Sequence, residues 1–204
     1  MRIIIAGIVA GIIVFVWGAV MHIALPIGSM GLNYETTPAE PAVLEALKGL
    51  PESGIYLMPG QDTSITDLDE QKKTQAAAWE AGPSALIVLQ ADGGPTMGAQ
   101  TLGLQFLANV LAGLMAAMVI ASAKCGYFSR VAIMGLLGLF TWFNTDASYW
   151  IWYGFPDEFT LVTGIGHIVG WLAAGIVVAA IVKPSALGKA PAEADPPMNV
   201  ESVE

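Results

Sequence analysis

Apolar positions fall into four long runs, 3–24, 99–123, 131–152 and 161–182, with few or no charges inside them. A helix rises about 1.5 Å per residue, so roughly 20 residues cross the ~30 Å of hydrocarbon in a bilayer. Each run is long enough, and together they predict four transmembrane helices. The first follows Arg2 as a secretory signal would, but the apolar part of a signal is only about 7–15 residues long. This run continues through Trp17 and His22 to Pro26 with no small-x-small cleavage site, and it reads as an uncleaved span.

Between the first and second runs the pattern shortens. Pro41, with Val43, Leu44 and Leu47 on one face, predicts a short helix ending at Gly49 and Pro51. Residues 54–58 read as a strand closed by Pro59-Gly60, and Pro59 to Asp62 reads as a plain turn. Thr66 with Asp69 or Glu70 resembles a capping signal for a second helix, in which Leu68, Lys72, Gln75, Ala76 and Trp79 share a face. Gly82-Pro83 stops it. The continuous apolar stretch 84–90 predicts a strand covered on both faces, and the last three elements predict a right-handed βαβ unit.

The expected fold is therefore an all-α membrane bundle of four transmembrane helices, with a small α/β extracytoplasmic domain inserted between helices 1 and 2. Residues 1–26 form the first transmembrane helix, 27–97 the inserted domain and 98–183 transmembrane helices 2–4. Residues 184–204, rich in Ala, Pro and acids, form a tail expected to be disordered because it has little to bury. About seventy residues with two strands make a thin core, so the inserted domain is expected to lean on the bundle or on a partner.

Composition agrees with a membrane protein. The 204 residues are 55% hydrophobic and only 12% charged, about half the charged share of a soluble domain. One cysteine excludes a disulfide scaffold. The net charge of −9 sits in loops and the tail, and with no basic patch to meet phosphates no nucleic acid partner is expected. By parity, Arg2, Lys124, Arg130, Lys183 and Lys189 fall on one side of the membrane, the cytoplasmic side by the positive-inside rule. Both termini then lie inside, in the inner (plasma) membrane of a bacterium-like cell. Tyr149, Trp150, Trp152, Tyr153, Phe155 and Phe159 gather at the opposite interface. Cys125 falls in the cytoplasmic turn and reads as incidental.

Plotted at 100° per residue, each span carries a stripe of small and polar residues expected to face inward. The stripes are Gly7, Gly11, Gly18 and His22; Thr101, Gln105, Asn109, Ala112 and Ala116; Thr141, Asn144, Thr145 and Ser148; and Thr160, Thr163, His167, Gly170 and Ala174. Counted from the outer ends, His22, Gln105, Asn144, Asp146 and His167 fall in one layer roughly 6–12 Å below the outer boundary. Asn109 shares the face of Gln105. Asp146 lies off its stripe, with Trp142, Tyr149 and Tyr153, toward a neighbouring helix or the headgroups.

Three functions fit this layer. In the first, the polar groups satisfy one another and the chain is an accessory or scaffold protein. It would present its outer domain to envelope partners, or self-associate through that domain or its Gly-rich helix faces. In the second, His22 and His167 are cofactor ligands, to a haem axially or, with Asp146, to a metal. Against it stand the lack of a local spacing motif and the Gly face carrying His22, which favours close helix contact over a gap. The third is a small transporter or proton relay through Asp146, His22 and His167. The inner halves of the spans are apolar, so such a path stops halfway, and an outward-facing site for a quinone headgroup, a lipid or a haem suits the layer better. No Walker loop, dinucleotide fingerprint, HExxH or paired CxxC occurs, and no catalytic residue is assigned.

Overall fold

The computed structural model describes residues 1–25 and 27–182. Pro26, Lys183, Lys189 and the tail expected over 184–204 lie outside the described residues. Helix α1 (Arg2–Ala19) runs into a π-helical turn, Val20–Ala24, followed by a 3-10 turn, Ile27–Ser29. The inserted region contains α2 (Glu40–Leu47), β1 (Gly54–Met58), α3 (Leu68–Ala81) and β2 (Ala85–Leu89). Then come α4 (Ala99–Ser122), α5 (Tyr127–Thr141), a second π-helical turn (Trp142–Asp146), α6 (Ala147–Tyr153) and α7 (Asp157–Ile181).

Three helical stretches are long and apolar enough to cross a membrane: Arg2–Ala24, Ala99–Ser122 and Asp157–Ile181. Their outward faces carry exposed aliphatic side chains, among them Ile4, Ile8, Leu107, Met115, Ile165 and Ile176. Apolar surface on that scale is what lipid covers. The fourth expected span is divided. A π turn accommodates one residue more than an α turn, so the α-helix begun at Tyr127 ends at Thr141 and resumes at Ala147, although the chain stays helical throughout.

Helix α1 lies between α4 and α7, and α5 packs on the far side of α7, while α4 and α5 barely touch. The helices thus form a row in the order α4, α1, α7, α5. Glycine sets the spacing. A Cβ on Gly7 would stand 2.7 Å from Leu114 Cα, and one on Gly11 would stand 2.6 Å from Val110 Cα. Gly113 returns the contact against the Gly7 carbonyl. On α7, Gly170 seats the Trp17 ring, Gly166 seats Met21 and Gly164 seats Trp142. Indole N–H groups tie the same surfaces, Trp17 donating to Gly166 O at 2.9 Å and Trp142 to Thr160 O at 2.6 Å. The buried core lies toward the end away from the inserted region, and includes Ala6, Ala10, Ala117, Ile120, Met134 and Val178. At that end Arg130, only 8% exposed, donates to Val182 O beyond the last turn of α7.

The inserted region departs from expectation in three ways. Its two strands pair antiparallel, Ile55 opposite Val88 and Tyr56 opposite Ile87, so no βαβ unit forms. Residues 59–67 carry the chain back along the strand before α3 begins. Trp79 Nε1 near the end of α3 then donates to Pro59 O, 2.8 Å away at the end of β1, and the short turn after Gly82 can only reverse into β2. Secondly, β2 is not covered on both faces. One face of the sheet is bare, with Ile55 73% and Val88 64% exposed. Finally, the cap of α3 is Asp67 rather than Thr66, its carboxylate accepting from the N–H groups of Asp69 and Glu70 at 2.9 Å each.

Candidate ligand-binding cavity

The stripe of α1 does two jobs. Gly7 and Gly11 hold α4 at backbone contact, but a Cβ on Gly18 would meet nothing within 4 Å. Above Gly11 the helices α1, α4 and α7 part and leave between them an open-sided cavity of about 600 Å³. The Gly face that carries His22 was expected to favour close contact along its length. Bulky side chains above Gly11 correct this: Phe15 on α1 faces Phe106 on α4, and Trp17 on α1 packs against Gly170 of α7. Phe15 and Phe106 meet edge to face at 5.5 Å.

Of the polar residues singled out in the sequence, His22, Gln105, Asn109, Thr141, Thr163 and His167 line this cavity. The rest of the wall is apolar, with Phe15, Trp17, Met21, Leu102 and Trp171 prominent. Among the described residues no Asp, Glu, Lys or Arg belongs to the wall. Trp171 is part of both the wall and the core cluster, and the next positions below, Ala10, Ala116 and Ala174, are buried.

One nitrogen of each imidazole meets a neighbour. His22 sits in the first π turn, with Nδ1 3.0 Å from Gly18 O. Its ring lies flat against Gly28, where a Cβ would come within 2.7–2.8 Å of three ring atoms. His167 lies at the closest approach of α5 and α7, where Gly138 faces its backbone carbonyl. Its Nε2 stands 3.2 Å from Asp146 Oδ2, with side-chain exposures of 38% and 15%. The contact is close in distance but outside hydrogen-bond alignment, so Asp146 Oδ2 is a buried oxygen with no hydrogen bond among the described residues.

Asn144 does not join the others. It and Thr145 are exposed on the outer side of the second π turn, and the stripe expected to point inward there does not. The inward face of α5 instead carries Met134, Gly135 and Gly138, followed by Trp142. Close packing against α7 selects the small residues, and amides at the exposed turn lose nothing by facing out. Asp146 stands behind His167, outside the wall. The metal centre considered for His22, His167 and Asp146 is not formed, since no group of three metal-ligating His, Cys, Asp or Glu side chains occurs among the described residues.

Gly28 escaped the sequence reading. Its only signal is the position of a residue without a Cβ just after Pro26, where the chain folds back over the His22 ring. Trp17 and Trp171 carry no sequence signal beyond a bulky residue opposite a small one. Comparison of the chain with protein-family models, curated proteins and solved structures gives no match.

Proposed function

We propose that this chain is a four-span protein of the cell inner membrane that holds a small, neutral, amphipathic molecule between α1, α4 and α7. In this reading α5, the second π turn and α6 cross together as one bent rod, and both termini are cytoplasmic. Arg2, Lys124 and Arg130 share one end of the bundle and Asp157 and Glu158 the other, which supports that orientation.

The observation that carries the reading is the cavity. Ligand sites are typically clefts of about 300–1,000 Å³, mostly apolar, with a few polar groups that fix orientation. A wall without cations gives a phosphate headgroup no counter-charge, which favours a neutral head. Closure beneath Trp171 argues against a channel. A haem held by both histidines fits less well, because His167 presents its Nε2 to Asp146 rather than to the cavity.

The test uses Gly18→Phe, a bulky side chain at a wall position where a Cβ meets nothing within 4 Å. Wild-type protein purified in mild detergent is expected to retain a small lipophilic molecule, visible by native mass spectrometry and lost in Gly18→Phe. Equal molecules in both proteins, or none in either after gentle extraction from its own membrane, would end the proposal. An absorption spectrum without a Soret band removes haem separately.

One observation favours a second, compatible role. The bare face of Ile55 and Val88 suits docking of the inserted region onto an envelope partner or a second copy. Crosslinking from Ile55→Cys in intact membranes is expected to give a discrete adduct, and a protein that stays monomeric and alone argues against it.

A further inference from the structure

We infer that the cavity selects a headgroup bearing hydroxyl hydrogens, such as a phenol or an alcohol on a hydrocarbon chain, over one that only accepts hydrogen bonds. This deepens the proposed function and rests on it.

A backbone carbonyl can only accept, so a group bonded to one must be donating. The Thr141 hydroxyl therefore gives its proton to Leu137 O, at 2.9 Å. Thr163 gives its own to Phe159 O or Thr160 O, at 3.0 and 2.9 Å. The Trp17 indole proton is likewise committed to Gly166 O. His22 bonds Gly18 O through Nδ1, so in the neutral ring the proton is on Nδ1 and Nε2 is a lone pair. For His167 the neighbour of Nε2 is Asp146 Oδ2 at 3.2 Å. Two lone pairs at that distance repel, so the neutral ring keeps its proton on Nε2 and leaves Nδ1 as the acceptor.

The amides are split. Gln105 Nε2 donates one hydrogen to Asn109 Oδ1 at 3.1 Å, which leaves Gln105 Oε1 accepting and the second Gln105 Nε2 hydrogen and Asn109 Nδ2 donating. Trp171, also in the wall, carries an indole N–H, which can only donate. The wall thus faces its occupant chiefly with acceptors, two of them imidazole nitrogens, and with a minority of donors. A hydroxyl answers both kinds, since it donates to an imidazole and accepts from an amide or indole. An ether, ester or ketone head leaves both imidazole lone pairs unpaired within a largely apolar wall. Polar groups left unmatched are what make such sites reject the analogue that lacks the donor. Asp146 acts here as a positioning residue, through the tautomer of His167.

The test compares para-dodecylphenol with its methyl ether, para-dodecylanisole, binding to full-length protein in detergent at pH 8. These probes share a ring and chain and differ in the donor. Wild type is expected to bind the phenol at least about tenfold more tightly. Asp146→Asn, which frees the His167 tautomer and lets Nδ1 carry the proton, is expected to lower that ratio several-fold. His22→Leu, which leaves the Asp146 contact intact, is expected to lower it as well and keeps the test decisive if Asp146→Asn does not fold. Equal or tighter binding of the anisole overturns the inference while the cavity reading stands. Failure of both probes to bind overturns the two together.

Discussion

His167 Nε2 on α7 lies 3.2 Å from Asp146 Oδ2, the last residue of the second π turn. The pair joins the divided helix to α7 at the edge of the cavity. Polar pairs between helices in bilayers are worth about 0.6 kcal/mol on average and reach about 2. We expect Asp146→Ala and His167→Ala each to lower stability by about 1–2 kcal/mol, with a coupling near 0.5–1.5 kcal/mol in the double mutant. Denaturation in mixed detergent micelles measures this, and strictly additive effects would show that the contact contributes nothing.

Glycine substitutions should separate the two halves of the α1 stripe. Gly11→Val drives a side chain into the Val110 backbone, and overpacking of this kind costs about 1–3 kcal/mol. Gly18→Ala meets open space and should be neutral or stabilising by up to about 1 kcal/mol, the helix propensity gain. Melting temperatures of the two variants in one detergent decide the matter. A similar loss in both would mean that the helices do not part above Gly11.

Arg130 is the buried cation at the end of α7 opposite the inserted region, where it meets the Val182 carbonyl. Cations are favourable at helix C-termini, and a buried carbonyl left alone costs about 1–3 kcal/mol. Arg130→Leu should destabilise by that amount, and Arg130→Lys should recover only part because a lysine lacks the guanidinium fork. Full stability in Arg130→Leu would show that the carbonyl finds another donor.

Outside the spans, Asp62 accepts from the Ser64 hydroxyl at 2.6 Å and from the Ser64 N–H at 2.9 Å. The hydroxyl bond first, and the backbone bond second, hold its carboxyl below the ordinary carboxylate range. A depressed folded-state value means that the turn's contribution is present above the unfolded-state pKa and is lost as pH falls through the folded one. An NMR titration of the Asp62 carboxyl carbon should show the low midpoint, and Ser64→Ala should raise it. An unchanged midpoint in Ser64→Ala would refute the assigned cause.

Much of the helical layout was legible in the chain because lipid imposes one demand, a run of about 20 apolar residues, that reads directly as composition. Three of the four runs are membrane-length helices, and the strands at 54–58 and 85–89 also follow local pattern. Strand direction did not follow. The nine residues between β1 and α3 can carry the chain along the strand or across it, and only the docking of Trp79 on Pro59 selects between them.

The wheel at 100° per residue kept His22 on its stripe through the first π turn but lost phase at the second, where the rotation per residue changes. Asn144 consequently left its stripe, whereas Asp146, placed beside Trp142, does face α7. By itself the sequence determined that this protein is apolar and helical, and which residues were polar within its helices. Tertiary structure alone decided which of those polar groups meet. Whether a stripe closes or opens depends on the size of the side chains facing it on other helices, as Gly11 against Val110 and Gly18 against empty space demonstrate.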